Sequence, residues 1–285
     1  MASKTVVLAT RRSPLAMCQS KMVAKSIEEK LGCAVEMLPL VTTGDQQSQW
    51  SLEKSGGKGL FTKELELALL DGRADLAVHS AKDMPTEMPV GLDLVAFLPR
   101  ENPADILVIK EGVIKPAIIA TGSPRRRAQA TRLFPEAKWI EFRGNVQTRL
   151  EKIANGMEAD ATLLAAAGLK RLNISQFPGL RFRPLELSEM VPAPGQGAIA
   201  IQARIEDKKW LRKLTDIGTE KAVMVERAVL TAFGGGCQVA LGANYSDIEG
   251  RLYFFHEKCG IKSLNIAGKE QSDWMNELTG WTKNN

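Results

Sequence analysis

The sequence predicts a two-lobed α/β protein followed by a smaller third α/β unit. Three observations carry that expectation. Short strand-like runs alternate with helix-like ones, the same order of signals occurs twice, and the pattern changes after about residue 216. Strands alternating with helices imply mostly parallel sheets covered on both faces. Two such units leave a cleft between them, and loops after the carboxyl ends of parallel strands are where such folds bind ligands.

Residues 5–9 read as a short buried strand. Thr10-Arg11-Arg12-Ser13-Pro14 follows, then a stretch with helical period at Leu15, Cys18, Met22, Ile27 and Leu31. Serine at the N-cap with proline at the first helical position is a strong helix start. Residues 117–120 repeat the theme, and Thr121-Gly122-Ser123-Pro124-Arg125-Arg126-Arg127 opens a second helix. Gly72-Arg73-Ala74-Asp75 leads into a strand at 76–79, as Gly156-Met157-Glu158-Ala159-Asp160 leads into one at 161–165. A further strand at 138–142 runs into Arg143-Gly144-Asn145, a third strand-to-helix turn. Beyond residue 216, a helix at 220–231, strands at 239–245 and 251–257 and a short helix at 273–279 make the third unit.

At 285 residues the chain is long for one core and suits two or three domains. Hydrophobic residues at 44% and charged residues at 25% are ordinary for a water-exposed globular chain. No apolar run approaches the roughly 20 residues of a membrane span, and the N-terminal residues lack an export signal, so no membrane partner and a cytoplasmic location are expected. Cysteines 18, 33, 237 and 259 show neither CxxC spacing nor a metal pattern. The formal charge is +5, but there is no long basic run and aromatics are only 6%, which argues against a nucleic-acid surface. No heptad repeat signals self-association, and a monomer is expected.

The basic residues gather where strands end. Helix N-termini offer free N–H groups and the positive end of a dipole to anions, and these carry Arg11 and Arg12, Arg125 and Arg126, and Arg143 with Arg149 beyond it. Lys170 and Arg171 close the segment after the strand at 161–165. Arginine's planar fork suits carboxylate and phosphate oxygens, so the pattern points to a ligand with many acidic groups. Gly56-Gly57-Lys58-Gly59 lacks the spacing of a phosphate-binding loop and reads equally well as a lid carrying Lys58. Ser80-Ala81-Lys82-Asp83 ends the strand at 76–79, and its carboxylate suits either acid/base chemistry or a cap paired with its neighbour. Phe233-Gly234-Gly235-Gly236-Cys237-Gln238-Val239 strips side-chain cover from a thiol, which fits either a turn with an incidental cysteine or close approach by a bulky group. His79 reads as a core strand residue, and with only two histidines a Cys-His nucleophile is disfavoured. A two-lobed binder of an acidic metabolite explains the lobes and arginines, but gives no role to the Cys237 and Asp83 segments.

Seven of these words in order resemble the porphobilinogen deaminase family. They are Ala9-Thr10-Arg11-Arg12-Ser13-Pro14-Leu15-Ala16, Gly56-Gly57-Lys58-Gly59-Leu60-Phe61, Ala77-Val78-His79-Ser80-Ala81-Lys82-Asp83, Arg143-Gly144-Asn145-Val146, Ala167-Gly168-Leu169-Lys170-Arg171-Leu172, Gly195-Gln196-Gly197-Ala198 and Gly235-Gly236-Cys237-Gln238-Val239. The resemblance implies a transferase of tetrapyrrole and haem biosynthesis, a hydroxymethylbilane synthase. Such an enzyme condenses four porphobilinogen units, with loss of ammonia, onto a dipyrromethane cofactor held as a cysteine thioether, then hydrolyses off a linear tetrapyrrole. It implies two lobes like those of solute-binding proteins around a hinged cleft. Domain 1 would comprise residues 1–98 and 193–215, domain 2 residues 99–192, and domain 3 residues 216–285. By the same resemblance Cys237 anchors the cofactor and Asp83 with Lys82 is catalytic. Ser80, Thr121, Ser123, Arg125, Arg126, Arg143 and Gly144 would hold the cofactor together with Lys82 and Asp83. Arg11, Ser13, Lys58, Arg149, Arg171 and Gln196 would meet the substrate. Primer and four substrates carry about twelve carboxylates, for which bidentate arginines are efficient counter-charges. Thr121-Gly122-Ser123-Pro124 departs from the family's Thr-Ser-Ser-Leu, Gly234 from an acidic residue and Ala240 from a proline.

Overall fold

The two halves of the repeated pattern build two five-stranded sheets on one plan. The computed structural model describes residues 5–46, 59–156, 159–235 and 239–283. The first half runs β1 (Thr5–Arg11), α1 (Pro14–Leu31), β2 (Ala34–Leu40), α2 (Thr43–Gln46), α3 (Lys63–Leu70), β3 (Leu76–Ser80) and β4 (Leu92–Phe97). The second runs β5 (Asp105–Lys110), β6 (Ile118–Ala120), α4 (Pro124–Leu133), β7 (Lys138–Ile140), α5 (Val146–Ala154), β8 (Ala161–Ala165), α6 (Ala166–Arg171) and β9 (Leu180–Pro184). The chain returns to the first sheet through β10 (Ile199–Arg204) and α7 (Lys208–Leu211). The third unit is α8 (Ile217–Ala232), β11 (Leu241–Ser246), β12 (Arg251–His256), β13 (Gly260–Asn265) and α9 (Gln271–Lys283), its strands forming an antiparallel meander.

Strand order is β2-β1-β3-β10-β4 in the first sheet and β7-β6-β8-β5-β9 in the second. In the first, β1 runs parallel to β2 and β3 while β10 is antiparallel to β3 and β4. The second repeats this, with β6 parallel to β7 and β8 and β5 antiparallel to β8 and β9. The expectation of mostly parallel sheets is therefore corrected to mixed ones. β4 ends at the same edge as β3, and residues 98–104 join that edge to the matching edge of the second sheet. β5 must start there and run against its neighbours, and β10 does the same after residues 185–198 cross back.

The predicted echo has a physical basis. Asp75 accepts from the Val7 N–H at 2.8 Å and donates its own N–H to the Val7 carbonyl at 2.8 Å. Asp160 accepts from the Ala117 and Ile118 N–H groups at 2.7 and 2.9 Å and donates to the Ile118 carbonyl at 2.9 Å. Each Ala-Asp pair thus clamps the first parallel strand of its sheet. Ser13 and Ser123 cap α1 and α4, accepting from Ala16 N and Arg126 N, with Pro14 and Pro124 in the first turn.

One periodicity is corrected. The buried face of α1 holds Gln19, Ser20, Val23 and Ile27, whereas Met22 is 43% exposed. The two polar residues are satisfied inside: Gln19 Nε2 donates to Ser80 Oγ at 2.9 Å and Ser20 Oγ to Thr10 Oγ1 at 2.7 Å. Around them Val6, Leu8, Leu76, Val95, Ile199 and Ile201 form the core of the first sheet. Val108, Phe142, Leu150 and Ile153 do so on one face of the second, and α8 and α9 close over the meander through Val229, Trp274 and Leu278.

All three units meet on one fully buried carboxylate. Glu226 of α8 receives Arg100 Nη1 at 2.6 Å and Nη2 at 3.0 Å, the Gly195 N–H at 2.6 Å and the Tyr245 N–H at 2.8 Å. Arg100 lies on the outgoing crossing, Gly195 on the returning one and Tyr245 on β11, so one side chain fixes all three. The crossings also touch at Gly197, whose φ is +87° and where a β-carbon would collide with the Glu101 carbonyl oxygen.

Candidate functional site

Strand β3 of the first sheet and the parallel strands β6 and β7 of the second end at the matching edges that the crossings join, and deliver the polar loops there. After β3 a single 3-10 turn, Ala81–Asp83, is anchored by buried Ala81 and Met84 on either side of Lys82 and Asp83. Arg227 of α8 holds the following loop through the Pro85 carbonyl at 2.6 Å. After β6, Thr121, Gly122 and Ser123 lead into α4, and after β7, Arg143 and Gly144 lead to Asn145, which caps α5 by accepting from Thr148 N at 2.9 Å.

These loops enclose a cavity of about 520 Å³ between the two sheets and the C-terminal end of α8 with the start of β11. Lys82, Asp83, Thr121, Ser123, Arg125, Arg126, Arg143, Arg149 and Gln196 line it, together with Phe61, Met84 and Leu230. Gly235 and Val239 also line it, and Cys237 falls between them in the sequence but outside the described residues. Lys58 likewise lies outside them, next to the lining residue Gly59. A smaller recess of about 60 Å³ holds Arg11, Ser13, Gln19 and Ser80, and Phe61, Thr62 and Asp83 belong to both walls. Gly144 and Arg171 do not line either space. Gly144 accepts from Arg149 Nε at 2.8 Å, and Arg171 Nη2 donates to the Gly197 carbonyl at 2.7 Å with its Nε buried and without a partner among the described residues. Arg12 and Arg127 are exposed.

The electrostatics differ from what the arginine count implies. Arg125 and Arg126 share one fully buried carboxylate, Asp105 at the start of β5. Arg125 Nη1 and Nη2 donate at 2.8 and 3.2 Å and Arg126 Nε at 2.8 Å. Burial pushes the Asp105 carboxyl up, but the two guanidinium charges outweigh it and hold it far below the usual range. Arg143 is paired to Glu141 at 2.7 Å. Five cations against Asp83, Asp105 and Glu141 leave a surplus of two positive charges around the cavity. Burial, then the charge of Arg126, lowers Lys82 to about 8, while its Nζ donates to Gln196 Oε1 at 3.3 Å. Arg149 is lowered to about 10 by burial and by Arg126 and Arg143. Burial is the larger cause in both cases and neighbouring cations add to it, so a polyanionic ligand would offset the second contribution.

Asp83 is the contrast. Its carboxylate has no hydrogen-bond or ion-pair partner among the described residues, although it stands where both spaces meet. His79 is a core residue, as expected: its Nε2 lies 3.1 Å from Gln202 Oε1, and burial lowers it to about 4. Sequence reasoning passed over Asp105, Glu226 and Asp45, which pairs with Arg11. Only Asp105 left a signal, as a charge opening the apolar run Ile106-Leu107-Val108-Ile109, where burial demands a cation.

A family model described as porphobilinogen deaminase, dipyromethane cofactor binding domain, matches residues 6–212. The chain belongs to the porphobilinogen deaminase family. The matched span holds both five-stranded sheets and every cavity-lining residue of the deaminase resemblance except those near Cys237, which lies beyond it. Among solved structures the chain is similar to the periplasmic VFT2 domain of BvgS from Bordetella pertussis, at 17% identity over 79% of this chain and 92% of that one, with a TM-score of 0.45. It is also similar to the BenM effector-binding domain with its effector benzoate, at 14% identity over 75% of this chain and 90% of that one, with a TM-score of 0.45. Among the described residues no helix is long and apolar enough to cross a membrane.

Proposed function

We propose that this deaminase-family chain is a hydroxymethylbilane synthase, joining four porphobilinogen units onto a dipyrromethane held by Cys237 and releasing the linear tetrapyrrole by hydrolysis. The observation that carries the reading is the unpartnered Asp83 carboxylate, set where the cation-lined cavity meets the Arg11 recess. The residues present fit a dipyrromethane. The cavity volume of about 520 Å³ lies in the small-molecule range, its walls carry surplus positive charge, and one buried donor, Arg125 Nε, has no partner among the described residues. Lys82, Arg125, Arg126 and Arg149 would hold the group's acetate and propionate oxygens, with Thr121 and Ser123 at the start of α4 beside them. When bound, the dipyrromethane supplies the nucleophilic pyrrole carbon to which the first unit is joined. A thioether to Cys237 resists hydrolysis, so the anchor outlasts product release.

Asp83 acts on the incoming unit. Loss of ammonia from an aminomethylpyrrole leaves a cation delocalised over the ring, with a polarised N–H. A fixed carboxylate accepting from that N–H stabilises the charge as it forms, and takes up the proton lost when the coupled ring regains aromaticity. Because no described residue occupies it, the carboxylate is available to substrate without a bond first being broken. Arg11, Ser13 and Ser80 line the recess on the far side of Asp83 and receive the substrate's acidic groups. Incubating the purified protein with porphobilinogen tests the reading: ammonia release in step with a linear tetrapyrrole supports it, and binding without ammonia release overturns it.

A further inference from the structure

This inference deepens the proposed function by assigning the residue that sets how Arg11 meets substrate. Arg11 is held on two sides. Its Nε donates to Asp45 Oδ2 at 3.3 Å and its Nη2 donates to Asp45 Oδ1, so one carboxylate fills the side edge of the fork. The Phe61 ring covers one face, with its centroid 4.3 Å from Cζ. Among the described residues nothing takes Nη1, which with the remaining Nη2 hydrogen forms the end edge. That end edge can still take a second carboxylate in bidentate fashion, and Arg11 lines the recess that also holds Ser13, Ser80 and Asp83.

Asp45 is itself fixed from behind. Thr42, fully buried, donates to Asp45 Oδ2 through Oγ1 at 2.8 Å and through its N–H at 3.3 Å. The Asp45 N–H donates back to the Thr42 carbonyl at 2.9 Å. Gly44 lies against the Phe61 ring, where a β-carbon would collide with it, and its N–H donates to the Leu60 carbonyl at 2.8 Å. One short turn therefore places both the carboxylate and the ring that hold Arg11. Burial pushes the Asp45 carboxyl up, but hydrogen bonding and charge from Arg11, with help from Thr42, keep it below the usual range and so ionised at neutral pH.

We propose that Asp45 is the positioning residue for Arg11, locking the fork so that its free edge meets a carboxylate of the incoming porphobilinogen beside Asp83. The Arg11–Asp45 pair is neutral, so a substrate carboxylate joins an existing chain of charges rather than a bare cation.

The test is steady-state kinetics with porphobilinogen on primer-loaded wild type, Asp45→Ala, Asp45→Asn and Asp45→Glu. The alanine variant should raise KM at least about tenfold with kcat within about twofold, as expected for loss of substrate binding rather than of chemistry. Asn and Glu, which keep an acceptor oxygen, should recover part of the loss, while the mass of the bound primer stays that of wild type. An unchanged or lower KM in Asp45→Ala, or kcat falling as far as kcat/KM, overturns the proposal. Should the alanine variant be unstable, the near-isosteric Asn variant decides by the same split, with a KM above wild type required. A wild type that turns over porphobilinogen while no Asp45 variant moves KM removes only the positioning role. A wild type without turnover removes the proposed function itself.

Discussion

Asp105→Asn removes one negative charge while keeping the shape of the side chain. In the structure that carboxylate is fully buried between Arg125 and Arg126, which are themselves only 4% and 7% exposed. Breaking a buried ion pair from one side costs about 3–5 kcal/mol, because the uncompensated partner stays behind. Two cations are left here, and they repel each other. Their remaining bonds, from Arg125 Nη1 to the Val191 carbonyl and from Arg126 Nη1 to the Leu163 carbonyl, each 2.8 Å, restrain them from swinging out to solvent. For a chain of this size about 1 kcal/mol moves Tm by roughly 2–4 °C, so primer-free Asp105→Asn should melt at least about 6 °C below wild type. Circular dichroism melts on primer-free and primer-loaded protein measure it, and the deficit should shrink with primer bound, whose carboxylates replace the missing charge. The pH dependence has a fixed sign. The folded carboxyl titrates below the ordinary value of 3.8, so its stabilisation is present above 3.8 and is lost as pH falls through the folded value. The variant's deficit should therefore fade in acid. A primer-free Tm within about 2 °C of wild type at neutral pH would refute the reasoning.

Asp83→Asn should retain primer while turnover of porphobilinogen falls at least about a hundredfold, the usual loss for a positioned acid/base group; near-normal turnover would remove Asp83 from the chemistry. Lys82 titrates in the folded, primer-free protein at about 8 rather than the ordinary 10.5, so its buried charge costs stability as pH falls from 10.5 through about 8 and stays at full cost below that. Lys82→Met should abolish that part of the pH dependence and leave primer-free protein more stable at neutral pH, as read from denaturant midpoints at pH 7 and pH 11. Parallel pH profiles for the two proteins would contradict the burial of that charge.

What was legible in the sequence was local chemistry that leaves a fixed mark. Ser13-Pro14 and Ser123-Pro124 announce two helix starts because a capping hydroxyl and a pre-set φ act within one turn, and both caps form. The two Ala-Asp pairs were legible as a repeat but not as clamps, because Asp75 and Asp160 reach back 68 and 42 or 43 residues to the strands they hold. Sheet direction was not legible, because β5 and β10 owe their antiparallel setting to where the crossings enter, which no periodicity records. The helical period misplaces the face of α1 because Gln19 and Ser20 are buried by hydrogen-bond partners outside the helix, Ser80 on β3 and Thr10 on β1. Within the site, the arginines could be listed but not their compensation. Asp45, Asp105 and Glu141 stand 34, 20 or 21, and 2 residues from the guanidinium groups they hold. Only the fold shows that Arg149 and Lys82 line the cavity without a salt bridge among the described residues, while Arg171 is turned toward the returning crossing.

The proposed function requires a covalent dipyrromethane on Cys237. Intact mass under denaturing conditions, measured on the purified protein beside a Cys237→Ser variant, tests it most directly. Wild type, after incubation with porphobilinogen where the isolated protein is bare, should exceed its polypeptide mass by two condensed pyrrole units, and the serine variant should fold yet show no such excess. A wild type that gains no covalent mass from substrate, or a serine variant that carries the same excess, would contradict the account.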